Sequence, residues 1–302
     1  MARTITVGLD GSPESLAAAD WAAREAALRR LPVRLLQVWQ PVPEPMASAL
    51  LLGVDAHRYE TERILTGAVK DLRERHPGVG VTGEHRVGAP AGILLDAARD
   101  TELLVLGSRA LGGLVGFLVG SVGQSVVARA DVPVVLVRAG GQASGGHHGE
   151  DPAGPPSAAT GFRPVVLGLD TDSLDETVIT FAFEEARRRG TTLTVVHGWN
   201  LPPYYVHSLA AGVDPREDIV RGQAAVLTEA LLPWREKYPD VEVTEQSRLG
   251  SPADHLVVAA RDASLLVVGR RVRRNPLGTH IGAVAHAVMH HATTPVAVVA
   301  HP

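Results

Sequence analysis

The feature that most constrains this chain is that it repeats itself. Val87-Gly88-Ala89-Pro90-Ala91 returns as Leu249-Gly250-Ser251-Pro252-Ala253. Ala97-Ala98-Arg99-Asp100 returns as Ala259-Ala260-Arg261-Asp262, and Leu103-Leu104-Val105-Leu106-Gly107 as Leu265-Leu266-Val267-Val268-Gly269. Val132-Pro133-Val134 returns as Thr294-Pro295-Val296, and these pairs all keep an offset of 162 residues. Near the start, Val7-Gly8-Leu9-Asp10 matches Leu167-Gly168-Leu169-Asp170 at an offset of 160, so one loop gained two residues. A register held over so many blocks means two copies of one structural unit.

The chain of 302 residues therefore reads as two domains of ordinary size, 1–138 and 163–302. Between them lies 139–162, rich in Gly, Ser, Pro and Ala, a composition that cannot bury a core and suits a flexible linker. His147-His148 inside it is read as linker composition, not as a metal site. Hydrophobic residues make up 45% and charged residues 21%, so each half can build a core unaided. There are no cysteines, which removes disulfides, thiolate catalysis and cysteine-bound metal clusters. The formal net charge of −4 gives no electrostatic footprint for nucleic acid.

Met1 to Gly8 is too short and polar for a signal peptide and enters a strand directly, so the expected location is the cytoplasm. One segment needs a membrane check. Ala110–Ala128 carries no charge and is long enough to span a bilayer, with Gly112, Gly116 and Gly120 at the spacing of packed membrane helices. Its five glycines, together with Ser121, Gln124 and Ser125, make it a loop leading into a helix instead, and no membrane association is expected.

Each copy alternates strand and helix. In the first, Thr4–Leu9 is a β-branched and apolar run, Pro13–Arg30 has Leu16, Ala19, Ala23, Ala26 and Ala27 at helical spacing, and Val33–Trp39 is a second strand. A helix over 55–76, a strand Val79–Arg86, a helix Pro90–Arg99 and a short buried strand Leu103–Leu106 follow. A helix Gly120–Ala130 and a strand Val132–Val137 close the copy. Alternating elements with continuously apolar strands predict an α/β fold. Each domain is a Rossmann-like, five-stranded parallel sheet with helices on both faces. Ligands in such sheets bind beyond the carboxyl ends of the strands, where strand order reverses.

Two loops fall at that edge. One is Gly8-Leu9-Asp10-Gly11-Ser12, after the first strand. The other runs from Gly107-Ser108-Arg109-Ala110 through Gly112 and Gly113 to Gly120-Ser121-Val122. Glycines let backbone N–H groups approach an anion, and a helix beginning at Gly120-Ser121 offers free N–H groups and a favourable dipole. The Ser121 hydroxyl adds a donor and Arg109 a positive charge. The same features also describe a glycine-rich surface loop with a serine cap.

These motifs resemble the universal stress protein family, which carries Gly-x-x-Gly, nine residues, then Gly-Ser or Gly-Thr. Here Gly107-Ser108-Arg109-Ala110, nine residues and Gly120-Ser121 keep the spacing, with Ala110 in place of the second glycine. The start Val7-Gly8-Leu9-Asp10-Gly11-Ser12 and the closing Val132-Pro133-Val134-Val135-Leu136-Val137 match as well, and the resemblance spans both copies. It implies the adenine nucleotide α-hydrolase-like form of the fold and ATP, with Mg2+, as the ligand. Asp10 would face the ribose or the metal, and Val38 would meet adenine through its backbone. Gly107, Arg109 and Gly112 would line ribose and phosphates. Gly120, Ser121 and Val122 would hold the triphosphate. The closing strands of the two copies would pair as an intramolecular pseudo-dimer, with further homodimerisation open.

The second copy departs further. Gly168 and Asp170 persist, but the later loop reads Gly269-Arg270-Arg271-Val272, nine residues, then Gly282-Ala283. Val272 is poorly suited to a positive φ, and Ala283 lacks a hydroxyl. Arg270, Arg271, Arg273 and Arg274 supply charge, so this copy reads either as a weakened, charge-assisted nucleotide site or as a solvated basic loop. His286 and His290 are four apart on a predicted helix, without the glutamate of a His-Glu-x-x-His metal motif, and are expected to be packing or surface histidines. No Walker A sequence or Ser/His/Asp motif is present, so no catalytic residue is assigned. Three readings follow: a nucleotide-dependent stress regulator, a slow ATP-hydrolysing enzyme on the same fold, or a dimerising scaffold that has lost the nucleotide.

Overall fold

The computed structural model describes residues 3–40, 54–110, 117–139, 161–201, 216–272 and 281–302. The chain forms two compact units. Gly112, Gly113, Arg273, Arg274, His280, His147 and His148 lie outside the described residues.

In unit 1, β1 is Thr4–Leu9, α1 Pro13–Arg29, β2 Val33–Trp39, α2 Val54–Arg75, β3 Val81–Val87 and α3 Pro90–Ala98. Then come β4 at Thr101–Ala110, β5 at Phe117–Leu118, α4 at Ser121–Arg129 and β6 at Val134–Arg138. The strand order is β3-β2-β1-β4-β6, all parallel, with β5 antiparallel to the end of β4. The chain winds outward from β1 to β3, then returns to β4 and winds the other way, so order reverses between β1 and β4. The two faces are covered by different helices. A Cβ on Gly8 would meet Leu94 of α3, whereas one on Gly83 would meet Leu65 and Val69 of α2. The strands between them are almost wholly apolar because both of their faces are buried: Ile5, Val7, Val33, Leu35, Leu36, Leu103, Leu104 and Val105 have no exposed surface.

Unit 2 repeats the plan. Its elements are β7 (Val165–Gly168), α5 (Glu176–Arg189), β8 (Leu193–Trp199), α6 (Arg216–Lys237), β9 (Val243–Leu249), α7 (Pro252–Ala260), β10 (Leu265–Arg271), α8 (Ala283–His291) and β11 (Val296–His301). The order β11-β10-β7-β8-β9 is that of unit 1, again parallel. A small device recurs with it. Arg73 donates from Nε and Nη2 to Val81 O at 3.1 and 2.6 Å, and its counterpart Arg235 donates from Nη2 to Val243 O at 3.1 Å. Each arginine ties the end of a long helix to the start of the strand that follows.

The copies have diverged where their first two helices meet. In unit 1, Asp20 takes Arg24 at 2.6 Å, His76 at 3.0 Å and Arg75. In unit 2 the positions of Ala23, Leu72 and His76 hold Phe183, Trp234 and Tyr238, and the Trp234 and Tyr238 rings stack on Phe183 with centroids 6.3 and 5.3 Å away. An ion cluster and an aromatic cluster thus do the same joining work.

Several expected bounds need correcting: the strand expected at Val79–Arg86 is Val81–Val87, and the one at Val132–Val137 is Val134–Arg138. The strand placed at Leu103–Leu106 extends from Thr101 to Ala110, because its last residues pair with β5. The predicted helix at Gly120–Ala130 is Ser121–Arg129, with Gly120 as its N-cap. In the segment screened for a membrane span, the described residues form β5 and the nine-residue α4, and among the described residues no helix is long and apolar enough to cross a bilayer.

Candidate functional site

The reversal of strand order puts the loop after β1 and the elements after β4 at one end of the unit 1 sheet. The β1 loop is a tight, self-bonded turn. Asp10 Oδ1 accepts from the Ser12 backbone N–H at 3.0 Å and from the Ser12 hydroxyl. Ser12 caps α1 through its side chain, accepting from Ser15 N at 3.2 Å, and Pro13 starts the helix where no N–H is needed. Ser15 Oγ accepts from Asp10 N at 3.3 Å and donates to Ser12 O at 2.9 Å. Gly11 adopts φ +81°, a region costly for residues with a side chain, and Ile64 of α2 packs over it.

The glycines of the motif do different jobs. Gly8 lies within the sheet, where a Cβ would sit 2.7 Å from Leu106 Cδ2. Gly107 is a close-packing position: a Cβ there would lie 2.6 Å from the Glu14 carbonyl carbon and 2.7 Å from Ser15 N. It lets the first turn of α1 rest on the β4 backbone, which brings the β1 loop and β4 together. Among the described residues nothing lies within 4 Å of a Cβ on Gly120. It caps α4 without a side-chain hydrogen bond, Ser121 and Val122 behind it are exposed, and the first intrahelical acceptor is Gly120 O, bonded by Gln124 N at 2.9 Å. The N–H groups of this first turn therefore have no side-chain cap, unlike those of α1.

Arg109 and Ala110 continue β4 as a hairpin rung, paired with Leu118 and Phe117. Ala110 has no positive φ, since Arg30 is the sole non-glycine residue with one among the described residues. The alanine thus replaces glycine without backbone strain. The same holds for Val272 in unit 2.

Three buried polar atoms at this end lack a hydrogen-bond partner among the described residues: Ser108 Oγ, Gln37 Oε1 and His85 Nε2. Gln37 precedes Val38 at the end of β2, in register with Leu9 on one side and His85 on the other. The motif drew attention to Val38 and missed both neighbours. A glutamine inside the apolar run Val33–Trp39 is the signal that marks it. Ser108 is in register with Arg138, whose guanidinium burial pushes down to about 9 and leaves charged at neutral pH.

Unit 2 keeps the frame and alters the end. Its α5 begins at Glu176, capped by Asp175, three residues later than α1 in repeat register, so the helical turn that covers Gly107 has no counterpart. His301 covers Gly269 instead: a Cβ there would lie 3.0 Å from His301 Nε2 and 3.3 Å from Val178, and His301 Nδ1 stands 3.7 Å from Asp175. Gly168 packs against Leu256, as Gly8 does against Leu94. Arg271 donates to Ser173 Oγ, tying the second loop to the first. Asp170 Oδ1 accepts from Asp172 N at 3.1 Å. Gly282 caps α8 without a side-chain bond, and Ala283 behind it is exposed with no hydroxyl. In the place of Val38 stands Gly198, where Pro252 of α7 comes within 2.5 Å of a Cβ position. His286 and His290 hold their rings 4.5 Å apart. Among the described residues no group of three or more His, Asp or Glu side chains could hold a metal ion.

Doubly wound parallel sheets, each with a reversal point flanked by an Asp-bearing turn and an uncapped helix start, define the chain as a tandem of Rossmann-like α/β domains. Residues 1–138 and 161–300 match the universal stress protein family model, and the chain belongs to that family. It is similar to a universal stress protein of Mycolicibacterium smegmatis, 35% identical over 98% of this chain and 96% of that one. It is also similar to one of Mycobacterium tuberculosis, 34% identical over 97% and 96%. Among solved structures, a universal stress protein from Archaeoglobus fulgidus covers 100% of both chains with a TM-score of 0.68 at 14% identity, a likeness of fold.

Proposed function

We propose that the protein is a nucleotide-dependent regulator of a stress response and that unit 1 is where it binds ATP. The observation that carries this reading is the uncapped, open start of α4 at Gly120-Ser121-Val122, at the same sheet end as the Asp10–Ser12 turn. Free N–H groups, a helix dipole and an exposed hydroxyl together suit a phosphate chain. In this reading Asp10 faces the ribose or a phosphate-bound Mg2+, the Val38 backbone meets the base, and Arg109 and Ser121 add charge and a donor. Asp10, the carboxylate of this turn, would be the protein group that meets a triphosphate-bound Mg2+. Unit 2, with Ala283 at its helix start and Arg271 engaged by Ser173, is the half proposed to serve structure.

The experiment is isothermal titration of the purified chain with ATP and Mg2+. One binding event per chain, weakened by S121A, is expected. Absence of both heat and thermal shift sinks the reading.

The remaining expectations belong with it. The chain is proposed to act in the cytoplasm, with 1–138 and 163–302 as separate domains joined by 139–162. The apolar closing strands β6 and β11 are proposed to pair the two as a pseudo-dimer. Slow hydrogen exchange at those β6 and β11 amides that point away from β4 and β10 would support that pairing, and fast exchange at them would overturn it.

A further inference from the structure

The two copies differ most informatively at one position beside the site. His197 of β8 is the repeat counterpart of Gln37. His197 is buried and fully partnered by its own unit: Nδ1 donates to Leu169 O at 3.1 Å, and Nε2 lies 3.3 Å from both Thr171 Oγ1 and Gln223 Oε1. Its strand neighbour Ser247 is partnered too, accepting from Trp199 Nε1 at 3.0 Å. In unit 1 the same pair of positions holds Gln37 and His85. Gln37 is 3% exposed, and among the described residues neither its Oε1 nor His85 Nε2 has a partner. Thr171, which closes on His197, is replaced by Gly11, which has no side chain to offer. Buried polar atoms left unpaired are costly, and native structures rarely keep them without a ligand or water to complete them.

Both groups point to one side of the sheet. Gly83 faces α2, and His85 follows two residues along the same strand. Gln37 is the register partner of His85, so its side chain shares that face. Leu9, in register with Gln37, leads directly into Asp10. An acceptor and a ring nitrogen therefore stand side by side, next to the turn that carries the carboxylate.

We propose that Gln37, with His85 beside it, is a specificity-determining residue of the unit 1 site. Its amide oxygen accepts from the exocyclic amine of an adenine-type base, and His85 Nε2 donates to the adjacent ring nitrogen. A guanine-type base offers the opposite pattern, an oxygen acceptor and a ring N–H, and is disfavoured by the same pair. The inference rests on the nucleotide reading of unit 1 and adds the group that reads the base.

The test is titration of the full chain with ATP and with GTP, each with Mg2+, for wild type, Q37L and Q37H. Wild type is expected to prefer ATP. Q37L is expected to lower the ATP-over-GTP ratio about tenfold, the size of one hydrogen bond. Q37H, the residue unit 2 carries, is expected to lower it by about threefold or more, and serves alone if Q37L does not fold. An unchanged ratio in a folded variant overturns the assignment, as does a Q37L that unfolds at higher temperature with its ratio intact, the signature of a buried water as partner. Wild type binding neither nucleotide overturns the nucleotide reading itself, a result distinct from binding without discrimination.

Discussion

Gly107 and Glu14 approach so closely that a methyl group on the glycine would lie 2.6 Å from the Glu14 carbonyl carbon. The obstacle is backbone, which cannot rotate away. Gly107→Ala is therefore expected to destabilise unit 1 by about 3 kcal/mol, through displacement of α1 from β4. Gly269→Ala, at the matching position, meets side chains of His301 and Val178 that can shift, and about 1 kcal/mol is expected. Denaturant unfolding of the two variants side by side measures the difference. Equal losses would contradict the packing role.

Ser121 is exposed and starts α4 without capping it. Its removal should cost binding and spare the fold. S121A is expected to weaken ATP binding by about tenfold, the worth of one hydrogen bond to a charged group, with the melting temperature unchanged. A fall in melting temperature without a change in affinity would make it a structural serine.

Asp20 should make stability depend on acid. Burial raises its pKa, but Arg24, the His76 hydrogen bond and Arg75 outweigh this, and the net shift is downward from 3.8. A carboxylate with a depressed folded pKa contributes stability above its unfolded pKa and loses it as pH falls through the folded value. Asp20→Asn is expected to cost about 1 kcal/mol at pH 7, since the cluster is partly solvated. The difference from wild type should shrink below about pH 4 as the unfolded carboxyl takes its proton. Thermal melts of both proteins between pH 7 and pH 3 check this, and a gap that persists at pH 3 would count against it.

His197 Nδ1 donates to Leu169 O, and its Nε2 accepts from the Thr171 hydroxyl. His197→Leu strands those groups and is expected to destabilise unit 2 by about 2 kcal/mol. Amide exchange should quicken at Leu169 and Asp170, and unit 1 should be untouched. Loss spread evenly over both units would refute the local account.

Much of this was legible in the residues. The offset of 162 carried strand register from one copy to the other, because parallel strands buried on both faces tolerate little but apolar side chains. The reversal point followed from the order of elements. What the motif could not show was the use of its glycines. Gly107 reads as a phosphate-loop glycine, yet it admits a helix, and only the fold places Glu14 above it. Val272 is poorly suited to the positive φ that a glycine position suggests, and the structure puts no positive φ there or at Ala110. The β4–β5 hairpin was hidden in a run of glycine and apolar residues without alternation. The ion cluster around Asp20 and the stacked rings around Phe183 depend on residues more than 50 positions apart in the chain, which no local pattern reports.

The buried arginines have a consequence for inheritance. Arg138 on β6 is in register with Ser108 on β4, while in the other copy Arg270 on β10 is in register with Ala300 on β11. Each half keeps one buried cation on this strand pair, but on opposite members. Recombination between the halves that joined β4 to β11 would leave none there, and one that joined β10 to β6 would bury two positive charges side by side. On this strand pair the two halves are thereby no longer interchangeable.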